Sequence, residues 1–452
     1  MKWVRSMVVG ALVASGCGSG HVGTPRDAGA GGTGGESATG GGVASGGTGG
    51  VATANGGTGG DEIDASANGG GPASTGGHAG GGPDDGGPPD TTTGGFDSSS
   101  TDPGADGDGE RTLNPPFKNA PEYTAQAGVP KGAYFEFAVG VASTIYPKAP
   151  TTRKIGVYVP AQYVAGTPAP VIVFQDGTDF YGFSTSIPTV LDNVIAKGAI
   201  PPVVGVFAGN GGGDNVGSER GLEYDTVSGL YAKWVSTELL PLVEQQTKTQ
   251  LPNQAVTFTK DPEGRATMGG SSGGLASFSM AWWHPDLFRR VLSFSGSYVN
   301  QVPADSPFPH GGWIYHDVDP FDATTPNGLV VAHCESATSP AAGVDDPGPC
   351  DTPLSESACL AMTGCAWNTS ANKPIRVWME SGTKDSNSGD APSTYRNFAL
   401  ANQRMADSLA KRHYHYHHDL ATGAGHVDMG PLKQTLPEAL AWVWRGYVPS
   451  GR

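Results

Sequence analysis

The residues best suited to chemistry are a serine, an acid and a histidine, met in that order along the chain. Ser272 stands in Gly270-Ser271-Ser272-Gly273-Gly274, a G-x-S-x-G pattern. A nucleophile on a tight strand-to-helix turn has a strained backbone and close neighbours, so its flanking positions must lack bulk. The helix that follows directs its first N–H groups at developing negative charge. Ser271 is one position early in this register, so Ser272 is read as the nucleophile. A serine hydroxyl needs a base, and the base needs an acid to orient it. His426 closes the small-residue loop Gly423-Ala424-Gly425-His426 and is read as the base. Asp385, in Glu380-Ser381-Gly382-Thr383-Lys384-Asp385, is read as the acid because it lies just past a strand end, with Asp390 in reserve. The oxyanion donors expected are the N–H of Gly273, the residue after the nucleophile, and that of Thr178 in Phe174-Gln175-Asp176-Gly177-Thr178. This chemistry requires no cofactor and no metal.

These groups must be held by strands and helices, and the pattern predicts both. Residues 133–139 and 154–159 alternate as antiparallel strands do. Residues 169–174 and 202–207 are short, wholly apolar runs suited to strands buried on both faces. Helical spacing covers 187–196 and 227–247, where Leu230, Trp234, Val235, Leu239, Leu242 and Val243 form one stripe. Residues 265–268 lead into the glycine-serine turn, with a helix from Gly274 to Trp283 after it. Further strands are expected at 291–294, 375–379 and 413–419, and further helices at 393–411 and 436–444. Alternating buried strands and amphipathic helices indicate an α/β fold, a mostly parallel central sheet with helices on both faces.

Three features invite other chemistry and fall short of it. His413, His415 and His417 alternate along one strand, which reads as a polar face rather than a metal site. Gly209 to Gly217 lacks the Lys-Ser/Thr of a phosphate loop. Asp317, Asp319 and Asp322 do not complete a calcium ligand set.

The first quarter of the 452-residue chain is a different kind of sequence. Residues 1–17 resemble an export signal: Lys2 and Arg5, a short apolar run, then Ala14-Ser15-Gly16-Cys17. Small residues before a cysteine resemble a lipobox, which makes Cys17 the expected lipidation site and the membrane attachment. An ordinary cleaved signal peptide is the alternative. Residues 18–112 are glycine-rich, with thirteen acidic and two basic residues, and hold most of the formal net charge of −16. They have too few large apolar side chains to offset ordering entropy and read as a flexible tether. At about 5–6 Å × √n, such a tether reaches roughly 50–60 Å. No basic face is left for nucleic acid. The globular part is expected over 113–452, interrupted by a segment at 323–373 that holds Cys334, Cys350, Cys359 and Cys365. In an exported chain these read as two disulfides stapling an insertion, with zinc as the competing reading.

Six segments together carry a family resemblance. They are Val173-Phe174-Gln175-Asp176-Gly177, Arg220-Gly221-Leu222-Glu223-Tyr224-Asp225, Gly269-Gly270-Ser271-Ser272-Gly273-Gly274, Ser293-Phe294-Ser295-Gly296-Ser297, Gly425-His426 and Trp442-Val443-Trp444-Arg445. The region from Val129 to Tyr447, minus the cysteine insertion, resembles the α/β-hydrolase family that contains enterochelin esterases, feruloyl esterases and mycolyl-transferring antigens. The resemblance implies carboxylic-ester hydrolysis through an acyl-enzyme. It supports Ser272, Asp385 and His426 in the triad roles, and gives Arg220, Glu223, Tyr224 and Asp225 a part in shaping the substrate site. The expected partners are a small-molecule or polysaccharide-linked ester and, through Cys17, a bacterial membrane. Two alternatives stand beside hydrolysis: a surface binding protein for a glycan or siderophore, and acyl transfer on the same fold.

Overall fold

The computed structural model describes residues 104–213, 217–302, 311–316, 333–336, 361, 365–368 and 373–449. Its strands are β1 (Gly109–Leu113), β2 (Ala133–Ala138), β3 (Lys154–Val159), β4 (Pro168–Ala169), β5 (Val171–Gln175), β6 (Val204–Ala208), β7 (Thr257–Phe258), β8 (Arg265–Gly270), β9 (Arg290–Phe294), β10 (His333–Ser336), β11 (Cys365–Asn368), β12 (Arg376–Gly382) and β13 (His415–Ala421). Nine of them form one sheet in the order β1-β13-β12-β9-β8-β5-β6-β3-β2. β3 runs antiparallel to β2 and β6, and the other pairings in the sheet are parallel. The helices are α1 (Phe183–Ala196), α2 (Glu219–Tyr224), α3 (Leu230–Trp234), α4 (Leu240–Gln250), α5 (Ser272–Trp283), α6 (Phe398–Lys411) and α7 (Met429–Trp444). A π-helical turn, Val235–Leu239, joins α3 to α4.

The apolar runs behave as strands with two buried faces. Along β5, Val171 and Val173 enter one core, shared with α3, α4, α5 and α6. Ile172 and Phe174 point the other way, into a core shared with α1 and α7. A period of two thus feeds two layers from one run. The helix after the glycine-serine turn is buried from Ser272 to Trp282, as a helix apolar all round must be. This is the mostly parallel sheet with helices on both faces expected from the alternation of strands and helices, and it has the α/β-hydrolase architecture that the family resemblance implies.

Several boundaries move. α5 begins at Ser272, not at Gly274, so the turn that precedes it is centred one residue earlier than expected. α6 begins at Phe398 rather than Ser393, because the Asn397 side chain accepts the Leu400 N–H and fixes the cap there. The last residues of the expected tether belong to the folded part: β1 adds to the sheet edge beside β13. Its charges explain why so polar a segment docks. Arg111 makes two hydrogen bonds to Asp419, 2.7 and 3.0 Å, and two more to Glu438. Asp108 meets His415 Nδ1 at 2.6 Å, and Asp106 meets Arg445 at 3.1 Å.

Residues 1–103, and with them Cys17, lie outside the described residues. So do Asp317, Asp319, Asp322, Cys350, Cys359 and most of the 323–373 insertion. Within it, the backbones of Cys334 and Cys365 belong to the antiparallel pair β10–β11. His413 precedes β13 with φ 58°, so the three alternating histidines do not share one strand face. Among the described residues no cluster of three His, Cys, Asp or Glu is placed to hold a metal ion. No described helix is long and apolar enough to cross a membrane.

Candidate active site

The loops after β5, β8, β9, β12 and β13 supply the site. β8 ends at Gly270, and Ser271 follows with φ 58° and ψ −127°, a conformation that L-residues rarely adopt. Its N–H donates to the Phe294 carbonyl at 2.9 Å, and its own carbonyl accepts the Gly274, Leu275 and Ser297 N–H groups. Three donors on one carbonyl hold the strained residue in place. The close packing of the elbow explains its glycines. A Cβ on Gly269 would lie 2.3 Å from the Gly273 oxygen, and one on Gly270 would lie 2.7 Å from Val427 Cγ1.

The hydroxyl that meets the histidine is that of Ser271. His426 Nε2 lies 2.8 Å from Ser271 Oγ, and His426 Nδ1 lies 2.6 Å from Asp385 Oδ1. Asp385 is 2% exposed and also accepts the Ser386 N–H at 2.6 Å. The ring of Phe398 stands edge-on to His426, 4.9 Å between centroids. Behind His426, Val427 sits at φ 44°, and its N–H donates to Ser295 Oγ at 3.0 Å.

Ser272 is elsewhere. It is the first residue of α5, and its hydroxyl donates to Asp225 Oδ2 at 3.0 Å. The expectation that Ser272 faces His426 is therefore corrected by one position. The duplicated glycines make the error possible, since Gly269-Gly270-Ser271-Ser272-Gly273 is an equally good G-x-S-x-G. The start of the helix decides between the two registers. Asp385 and His426 stand together as expected, while Asp390 is in a turn, its N–H bonded to the Asn387 carbonyl.

The same shift changes which residue follows the serine that faces His426. The residue after Ser271 is Ser272, whose N–H lies in the first turn of α5 and has no intrahelical acceptor. The Gly273 carbonyl accepts from Ser277 Oγ at 2.8 Å, and a Cβ on this residue would lie 3.0 Å from Gln175 Cβ. Thr178 is partly exposed in the turn after β5, and its N–H bonds to none of the described residues.

The four residues expected to shape the substrate site are buried and bonded to one another's loops. Arg220 clamps Asp176 through two bonds of 2.8 and 2.7 Å. Asp176, at φ 54°, also accepts from Asn210 Nδ2, and its N–H donates to the Tyr224 hydroxyl at 3.1 Å. Glu223 pairs with Arg153 and accepts the Gly211 N–H at 2.8 Å. Arg220 and Tyr224 thus brace the turn that carries Thr178, while Glu223 ties Arg153 to the loop after β6. Asp225 differs. Burial pushes its carboxyl up to about 6, and it accepts from Ser272 and from Gln301 Nε2, the latter at 2.8 Å.

Tyr181 is absent from the sequence reading and belongs to the site. It lies beside Ser271, and a Cβ on Gly270 would come 3.2 Å from its Cε2. Burial pushes its phenol up to about 12. The aromatic pair Phe180-Tyr181 directly after the Asp176-Gly177 turn is the one signal that marks it.

No curated protein sequence matches the chain. Among solved structures, the enterochelin esterase of Shigella flexneri is 19% identical, with a TM-score of 0.43 over 71% of this chain and 60% of that one. The ferulic acid esterase of Anaeromyces mucronatus is 15% identical, with a TM-score of 0.43 over 73% of this chain and 97% of that one. The ferric enterobactin esterase of Salmonella typhimurium is 17% identical, with a TM-score of 0.43 over 70% of this chain and 59% of that one. The chain thus spans about 60% of the length of the enterobactin esterases it matches. The family model described as Putative esterase matches residues 148–443, well over half of the sequence, and the chain belongs to that family.

Proposed function

We propose that the chain is a serine carboxylic-ester hydrolase acting through an acyl-enzyme, with Ser271 as nucleophile, His426 as base and Asp385 as the acid that orients it. The observation that carries this reading is the unbroken chain from Ser271 Oγ to His426 Nε2, 2.8 Å, and from His426 Nδ1 to Asp385 Oδ1, 2.6 Å. His426 Nε2 takes the hydroxyl proton as Ser271 Oγ attacks the ester carbonyl carbon. The negative charge forming on the carbonyl oxygen is met by the N–H groups of Ser272 and Thr178. His426 returns the proton to the departing alcohol. A water molecule, deprotonated by the same nitrogen, then releases the acid and restores Ser271.

Purified wild type, Ser271→Ala and Ser272→Ala, assayed on a short p-nitrophenyl ester and labelled with a fluorophosphonate, test the assignment. Loss of both turnover and labelling in Ser271→Ala alone is the expected result. Retained turnover in Ser271→Ala overturns it. Esters of the kinds named for the matched structures, enterobactin and ferulic acid, form the first substrate panel. We also propose export and lipid attachment at Cys17, as the lipobox-like Ala14-Ser15-Gly16-Cys17 suggests. Radiolabelled palmitate that enters the wild type but not Cys17→Ala in cells supports it. Equal labelling of the two disproves it.

A further inference from the structure

The serine and the histidine that meet do not come from neighbouring strands. In the sheet order β13-β12-β9-β8, two strands stand between β13, which leads to His426, and β8, which leads to Ser271. The histidine must reach across the ends of β12 and β9, and the end of β9 is where its loop is caught. β9 finishes at Phe294, and the next residue, Ser295, is 2% exposed with φ 47°. The Phe294 carbonyl accepts the Ser271 N–H at 2.9 Å, and the Ser295 N–H donates to the Glu380 carbonyl of β12 at 2.7 Å. The Ser295 hydroxyl accepts the Val427 N–H at 3.0 Å. Two adjacent residues thus bond to the serine turn, to the strand that leads to Asp385 and to the loop of His426.

The third of these bonds is made by a side chain, the first two by main chain. Val427 directly follows His426 and holds φ 44°, a rare conformation for a β-branched residue. Such a backbone persists only where its surroundings fix it. The Val427 side chain is 5% exposed and packs on the serine turn, where a Cβ on Gly270 would lie 2.7 Å from Cγ1. Its N–H is buried against the Ser295 oxygen. The Gly425 N–H bonds to Asp428 of the same loop, at 3.3 Å. The Ser295 hydroxyl therefore ties the backbone of residues 425–427 to the sheet. Without that oxygen the buried N–H loses its acceptor, which costs free energy. Val427 then relaxes toward negative φ, and the ring of His426, one residue away, turns with it.

We propose that Ser295 is a positioning residue for the base, its hydroxyl holding Val427 in the left-handed conformation that aims His426 Nε2 at Ser271 Oγ. The proposal rests on Ser271, His426 and Asp385 being the triad. Ser295 touches no reacting atom and acts through the placement of His426.

The test compares the full chain with Ser295→Ala and Ser295→Gly in steady-state hydrolysis of a p-nitrophenyl ester. Activity is expressed per serine labelled by a fluorophosphonate taken to completion, so molecules that fail to fold do not enter the rate. Both variants lose the acceptor and keep the main-chain bonds of residue 295. Glycine adopts positive φ at no steric cost, so Ser295→Gly separates the hydroxyl from backbone strain and serves where Ser295→Ala does not fold. Misplacing a reacting group by about 1 Å costs about a hundredfold, so a loop that relaxes part of the way lowers kcat by about tenfold or more. That fall is expected in both variants, with KM within about threefold of wild type. A variant that keeps the wild-type circular dichroism but neither turns over nor labels counts as the full loss. A smaller fall in either folded variant overturns the role of Ser295 and leaves the esterase reading standing. A loss carried by KM instead of kcat does the same, since it would place Ser295 in substrate binding. Absence of both turnover and labelling in the wild type overturns the esterase reading and this inference with it.

Discussion

Two adjacent serines with opposite fates give the sharpest prediction. Ser271→Ala removes the hydroxyl 2.8 Å from His426 Nε2 and nothing that supports the fold, since the Ser271 backbone bonds remain available to alanine. Loss of a serine nucleophile costs about 10⁴–10⁶ in kcat, leaving only what binding and the oxyanion donors provide. Ser272→Ala removes a different bond, the 3.0 Å contact to the fully buried Asp225. A bond to a charged acceptor contributes about 1.5–3 kcal/mol, so this variant loses stability of that order. It keeps the Ser272 N–H and the nucleophile, and its kcat falls by no more than about a hundredfold. Steady-state hydrolysis of a p-nitrophenyl ester and denaturant unfolding, run on both variants, read the two effects separately. An inactive Ser272→Ala beside an active Ser271→Ala would refute the assignment of Ser271.

Other consequences are open to the same assays. Arg220→Met leaves the buried Asp176 carboxylate unpaired, which costs about 3–5 kcal/mol in chemical denaturation and lowers activity by loosening the turn that carries Thr178. An unfolding midpoint within about 1 kcal/mol of wild type would show that the clamp is not a brace. Gly269→Ala forces a Cβ to within 2.3 Å of the Gly273 oxygen, a backbone atom, so the elbow must shift and kcat falls by about a hundredfold or more. Truncation to Gly104 removes no contact among the described residues. Truncation to Asn114 removes β1 and the Arg111 bonds to Asp419, and hydrogen exchange along β13 quickens.

How far the sequence discloses this molecule follows from what each signal depends on. Apolar runs such as Val171–Phe174 and Val204–Phe207 are legible because burial on both faces leaves no other pattern, and a mostly parallel sheet then follows from their alternation with helices. Asp385 and His426 are legible because small residues and turns flank them at strand ends. The serine that meets His426 is legible only to within one residue. Gly269-Gly270 and Gly273-Gly274 are both doublets, and the choice between Ser271 and Ser272 lies in where α5 starts, a backbone fact without a side-chain signature. β1 is missed because its stability comes from partners about 300 positions away, Asp419 and Glu438, while its own composition continues that of the tether. Tyr181 is missed for the same reason: only the folded loop after β5 carries it to Ser271.

Glu380 shows how the scaffold beneath the site sets its own pH limits. It lies in β12, five residues before Asp385, and is fully buried with Thr435 Oγ1 donating to it at 2.6 Å. Burial pushes its carboxyl from the ordinary 4.5 up to about 8, the neighbouring Asp419 and Asp428 adding to the rise. The folded state therefore binds a proton that the unfolded chain has already lost, and stability falls as pH rises from about 4.5 to about 8. The penalty is complete above that window and absent below it. Glu380→Gln keeps the shape and the acceptor for Thr435 but cannot ionise. It should match wild type in thermal unfolding at pH 5 and exceed it at pH 8 by up to a few kcal/mol. A wild type that gains stability between pH 5 and pH 8 relative to Glu380→Gln would mean that the carboxylate has a cationic partner, and would remove this acid as a source of pH sensitivity.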